Sequence, residues 1–133
     1  IDSYGNQPKN NGIRIHEFLN RMDLAYAMAD VIISRAGAGT IAELCLVNKP
    51  VILIPSPNVA EDHQTKNALN LVEKDAAKMV KDTEMDQLFW TTLVTICEDE
   101  NLRKKMAHNV EQFAKPNATV EIINQILNLI NNK

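Results

Sequence analysis

The chain has 133 residues, 45% of them hydrophobic and 23% charged, with a formal net charge of −3. That is enough chain for one domain with a real core, and the slight negative charge gives no global reason to expect nucleic acid. Cys45 and Cys97 lack the short spacings of a metal site, a redox pair or a disulfide framework, so both are expected as small core residues, and no apolar run approaches the roughly 18 to 20 residues of a membrane span.

The opening "IDSYGNQPKNNG" is polar and turn-rich. Residues 1–12 are expected to be a flexible start, and the chain to be a piece of something longer. "IRIHEF" (13–18) alternates and is β-branched, which predicts a strand. "NRMDLAYAMA" (20–29) has apolar spacings of three and four and predicts a short helix. "DVIIS" (30–34) reads as a buried strand. "GTIAELCLVN" (39–48) reads as a helix with Ile41, Leu44 and Cys45 on one face. "PVILIP" (50–55) is a continuous apolar run between prolines, the pattern of a central parallel strand. "EDHQTKNALNLVEK" (61–74) predicts a helix and "AAKMV" (76–80) a fourth strand. Helices are predicted over 83–98, 99–114 and 117–131, with Phe89 and Trp90 anchoring the first to the core. Ile123, Ile126, Leu127 and Ile130 line the last one.

Repeated βα alternation implies a Rossmann-like parallel sheet with helices on both faces. One partial domain is expected over residues 1–133. Its βα units occupy about 13–80 and its helical remainder about 81–133.

Three stretches carry possible chemistry. "SRAGAGTIAEL" (34–44) sits at the carboxyl end of a strand, where parallel α/β sheets bind ligands. Gly37 and Gly39 allow a sharp turn and a close ligand approach. The following helix offers unpaired N–H groups and a positive dipole end, a ready phosphate site with Arg35 beside it. Thr40-x-x-Glu43 is also a capping-box pattern, which would account for both residues without a ligand. The turn is neither a dinucleotide fingerprint nor a Walker loop.

"PSPNVAEDHQTKNA" (55–68) also follows a strand. Asn58 and Glu61 form another possible cap. His63 and Asn67 share a helix face, and the amides of Gln64 and Asn67 suit sugar hydroxyls because each offers a donor and an acceptor. A solvated helix face is the plain alternative. In "HEFLNRM" (16–22), an exposed backbone near Phe18 and Leu19 could bond a flat base, although both side chains also read as core. The basic run "LRKKM" (102–106) reads as a solvated face, with contact to an anionic membrane surface as the alternative.

In this order, "HEFLNRMDLAYAMADVIISRAGAGTIAEL" and "NKPVILIPSPNVAEDHQTKNA" resemble the carboxyl-terminal domain of the MurG family of glycosyltransferases. The resemblance is close over about residues 13–80 and holds in pattern beyond. It implies a GT-B architecture, two Rossmann-like domains with the active site in the cleft between them. Such enzymes move N-acetylglucosamine (GlcNAc) from UDP-GlcNAc to undecaprenyl-pyrophosphoryl-MurNAc-pentapeptide, converting lipid I to lipid II in peptidoglycan synthesis. The carboxyl-terminal domain holds the donor, and lipid I is held by the amino-terminal domain. The resemblance also implies inversion at the anomeric carbon, no metal cofactor, and a peripheral place on the cytoplasmic face of the bacterial inner membrane.

Carried over by position, Glu43 matches the ribose-binding glutamate. Ala38, Gly39 and Thr40 match the turn that faces sugar and diphosphate, and Arg35 matches a motif arginine of unassigned role. Phe18 and Leu19 match the segment whose backbone reads uracil. Gln64 matches the glutamine that bonds the GlcNAc hydroxyls, with Asn67 one turn on. His63 stands where many relatives have a second glutamine, and Gly39 where a larger apolar residue is also found. No catalytic base is expected in this chain, which should not turn over alone. Three alternatives stay open: a UDP-galactose or UDP-glucose transferase domain, a non-catalytic nucleotide-sugar subunit, and a structural α/β domain whose caps are only caps.

Overall fold

The computed structural model describes residues 12–57 and 62–131. In chain order the elements are α1 (Met22–Met28), β1 (Ile32–Ser34), α2 (Ala38–Leu46), β2 (Val51–Leu53), α3 (His63–Val72) and β3 (Lys78–Met79). A 3-10 turn at Asp82–Glu84 and a π turn at Met85–Phe89 lead into α4 (Trp90–Glu98), α5 (Glu100–Glu111) and α6 (Ala118–Asn131). The strands form one parallel sheet in the order β1-β2-β3. Ile32 pairs with Val51 and Ser34 with Leu53, while Leu53 also pairs with Met79. The ladder runs one rung past the strands, through Ile54 N–H to Ser34 O at 2.8 Å and Val80 N–H to Leu53 O at 3.0 Å. All the strands therefore point their carboxyl ends to one edge.

The central strand organises the core. Val51, Ile52 and Leu53 are fully buried, as a strand covered on both faces must be. Successive side chains point to opposite faces, and the packing follows that alternation. Val51 and Leu53 join Leu44 and Cys45 of α2, Ala68 and Leu71 of α3 and Val110 of α5. Ile52 joins Val80, Ile96 of α4 and Met106 of α5 on the other side. The β1–α2–β2–α3–β3 order thus fixes α2 and α3 over one face with their N-termini at the carboxyl edge of the sheet.

Four expectations change. Residues 13–18 form no strand, and the described sheet ends at β1. Strand propensity needs a neighbouring ladder to act on. Cys97 is exposed while Cys45 is buried. Burial raises the Cys45 thiol above its ordinary pKa. Phe89 packs against the second core cluster, but Trp90 stands 66% exposed, edge-on to the Phe89 ring. The stripe of α6 forms as a helix face, yet Ile123, Ile126, Leu127 and Ile130 all lie at least 49% exposed. The expected flexible start lies almost wholly outside the described residues, as does the expected Asn58–Glu61 cap.

Candidate functional site

The site is built at the carboxyl edge of the sheet, from the segments that leave β1 and β2 and the helices that receive them. Leaving β1, the chain passes Arg35 and Ala36 and enters α2 through Gly37, whose backbone is extended at φ −66° and ψ 145°. Helix α2 starts at Ala38, so Thr40 lies inside its first turn. No side chain caps it. The expected capping box between Thr40 and Glu43 is absent because an extended residue at Gly37 already turns the chain into the helix. The first N–H groups of α2 have no intrahelical acceptor, and with no side-chain cap they are available at the strand edge.

The glycines act through space rather than torsion. No glycine among the described residues has a positive φ, so the turn does not depend on left-handed backbone. A Cβ at Gly39 would meet nothing within 4 Å, and one at Gly37 would meet Thr40 Oγ1 at an ordinary 3.7 Å. What the sequence reads as a sharp turn is an open shelf above the start of α2.

The segment leaving β2 is tied to that shelf by α3. Asp62, held at φ 55°, is the residue before α3, and a left-handed residue there is one that Asp tolerates. His63 and Gln64 then open the helix. Gln64 Oε1 accepts two backbone N–H groups, from Ser56 at 2.9 Å and from Ala36 at 3.3 Å. One turn on, Asn67 Nδ2 donates to Ala36 O at 3.3 Å. Arg35 reaches across the sheet edge. Its Nη1 donates to Asp82 Oδ1 at 2.8 Å and lies 3.3 Å from the carbonyl oxygens of both Ile54 and Pro55.

Glu43 stands on the exposed side of α2, where its Oε2 accepts from the Tyr26 hydroxyl of α1 at 3.3 Å. Burial, and then the Glu43 charge, push the Tyr26 phenol above its ordinary pKa. Phe18 and Leu19 lie in the irregular segment before α1, 77% and 40% exposed, so neither is a core residue.

The structure therefore brings Arg35, Gln64 and Asn67 onto one strand edge with Ala38, Gly39 and Thr40. Tyr26, Asp82 and the Ser56 N–H are participants that sequence reasoning missed. Asp82 had a signal, since it follows the end of β3 and strand ends are where ligands collect. Tyr26 had none, because in sequence it is one more apolar residue of α1. The basic run lies on a solvated face, as expected, with its charges partnered within the chain. Arg103 donates to the carbonyls of Ile96 and Cys97, Lys104 pairs with Glu100, and Lys105 with Asp75. Among the described residues no three His, Cys, Asp or Glu side chains gather as a metal site.

Fold and candidate site define a Rossmann-like α/β domain, with an uncapped helix start and convergent amide side chains at the carboxyl edge of a parallel sheet. The chain belongs to the family described as Glycosyltransferase family 28 C-terminal domain, whose model matches residues 2–126. It is 53% identical over 121 residues to a protein of Christiangramia forsetii named UDP-N-acetylglucosamine--N-acetylmuramyl-(pentapeptide) pyrophosphoryl-undecaprenol N-acetylglucosamine transferase, covering 91% of this chain and 33% of that protein. A Bacteroides fragilis protein of the same name is 52% identical over 116 residues, covering 86% of this chain and 30% of its own length. Among solved structures, the crystal structure of Acinetobacter baumannii MurG superposes with a TM-score of 0.79 at 34% identity, covering 86% of this chain and 33% of that one. The chain spans about a third of the length of these relatives.

Proposed function

We propose that this chain is the donor-binding part of an inverting glycosyltransferase that moves GlcNAc from UDP-GlcNAc to undecaprenyl-pyrophosphoryl-MurNAc-pentapeptide. The observation that carries the reading is 53% identity, across 91% of the chain, to a protein bearing that name. In this reading the donor lies over the start of α2. Its diphosphate takes the free N–H groups of Ala38, Gly39 and Thr40, whose partial positive charge also stabilises the leaving UDP as the acceptor hydroxyl displaces it from the anomeric carbon. That arrangement calls on no metal. Glu43 bonds the ribose hydroxyls, and the backbone at Phe18 and Leu19 reads uracil. Gln64 and His63 face the sugar. The acceptor is lipid I, held by another part of the complete protein, which works as a peripheral protein on the cytoplasmic face of the inner membrane. Among the described residues no helix is long and apolar enough to cross a membrane.

Isothermal titration of the complete protein tests the reading, with UDP-GlcNAc as ligand and UDP-galactose and UMP as controls. UDP-GlcNAc is expected to bind more tightly than UDP-galactose, with or without a chelator, and Glu43→Ala to remove most of the affinity. Tighter binding of UDP-galactose would move the reading to a galactose-using transferase. A folded protein that binds no uridine nucleotide would overturn it.

A further inference from the structure

We propose that Gln64 is a positioning residue for the diphosphate as well as a reader of the sugar. In this role it is one link of a hydrogen-bonded strap, from Asp82 through Arg35 to Asn67, that holds the phosphate-facing turn in shape. The inference rests on the donor-site reading above and deepens it.

The strap can be followed bond by bond. Asp82, after β3, accepts from Arg35 at 2.8 Å. The same Arg35 nitrogen lies 3.3 Å from the carbonyls of Ile54 and Pro55, after β2. The next residue, Ser56, donates its N–H to Gln64 Oε1 at 2.9 Å, and Gln64 Oε1 also accepts the N–H of Ala36, after β1. The Ala36 carbonyl accepts from Asn67. The backbone N–H and C=O of Ala36 are thereby both held by α3, two residues before α2 begins. Ala36 is itself fully buried, so it has no water to fall back on if these bonds are lost.

Two consequences follow from donor and acceptor chemistry. Two N–H groups pointing at one amide atom require it to be the oxygen, which fixes the amide orientation of Gln64. Its nitrogen has no partner among the described residues, and no buried side-chain nitrogen or oxygen lacks one, so Nε2 reaches solvent. Gln64 thus meets a sugar hydroxyl as a donor only. Arg35, in turn, engages Nη1 with Asp82 and the β2-end carbonyls, which ties its guanidinium to the strap while its side chain stays 55% exposed. Orphan N–H groups at a helix start bind an anion well only if they are already aimed, and the strap sets that aim.

The test separates a clamp from a sugar contact by using ligands without the sugar. Wild-type complete protein, Gln64→Ala, Gln64→Glu and Asn67→Ala are titrated with UDP, UDP-GlcNAc and uridine. Backbone amide exchange is followed in the nucleotide-free protein. Gln64→Ala is expected to weaken UDP about tenfold, the scale of one to two lost hydrogen bonds, to leave uridine unchanged, and to speed exchange at the Ala36 and Ser56 amides. Gln64→Glu keeps the acceptor and should restore slow exchange at both. Asn67→Ala removes a single bond and should weaken UDP less, which provides a readout if Gln64→Ala does not fold. Unchanged UDP affinity in both alanine variants, with only UDP-GlcNAc weakened, would overturn the clamp while leaving the donor site standing. A folded wild type that binds no UDP would overturn the donor site and this inference with it.

Discussion

Tyr26 and Glu43 provide the sharpest test of the proposed nucleoside contact. The Tyr26 hydroxyl donates to Glu43 Oε2 at 3.3 Å, which in the proposed donor site leaves the other carboxylate oxygen for the ribose. A hydrogen bond to a charged group is worth about 1.5–3 kcal/mol at good geometry. A charge-assisted O–H···O⁻ bond spans about 2.5–2.7 Å, so this longer one sits below that range, at about 1 kcal/mol. If Tyr26 orients the ribose acceptor, Tyr26→Phe should lower UDP affinity about fivefold. The assay is a double-mutant cycle in the complete protein: wild type, Tyr26→Phe, Glu43→Gln and both together, titrated with UDP. The hydroxyl can matter only through the carboxylate, so Tyr26→Phe should have little further effect in the Glu43→Gln background. The expected coupling is then about 1 kcal/mol, well above the roughly 0.3–0.5 kcal/mol scatter of independent sites. Two additive single changes would refute the argument, because Tyr26 would then act on UDP by another route or not at all.

The same phenol gives a pH expectation. Its folded-state pKa is raised, so its contribution to stability is complete below the unfolded tyrosine value near ~10. It is lost as pH rises through the higher folded value, so stability should fall with rising pH there. Denaturant titrations across that window should show the decline reduced in Tyr26→Phe. Gly39→Ala places a methyl group in open space inside α2, so it should stabilise the domain by up to about 1 kcal/mol and raise the melting temperature. Ile52→Ala empties a fully buried site between Val80, Ile96 and Met106 and should cost about 2–5 kcal/mol in urea unfolding. Ile33→Ala, one strand over and 43% exposed, should cost much less.

Sequence alone determined the features that depend on local periodicity. The βα alternation, the apolar run of β2 and the helical spacing of α2 and α3 are short-range patterns, and they place residues 35–40 and 54–57 at strand ends before any coordinates are known. The family motifs likewise pick out Arg35, Glu43, Gln64 and Asn67. Tertiary structure decided what those side chains touch. Gln64 reaches Ala36 across 28 residues of sequence, and Arg35 reaches Asp82 across 47. No spacing rule covers such distances, because packing of helices on the sheet creates those neighbours. The same reason explains the misreadings. A capping box was legible at Thr40 and Glu43, but an extended Gly37 starts the helix earlier and Tyr26 claims the carboxylate. A strand was legible at 13–18, but a strand exists only where another supplies its ladder. Local pattern set where the site would be; long-range hydrogen bonds, which form only once the sheet and α3 are packed, set its shape.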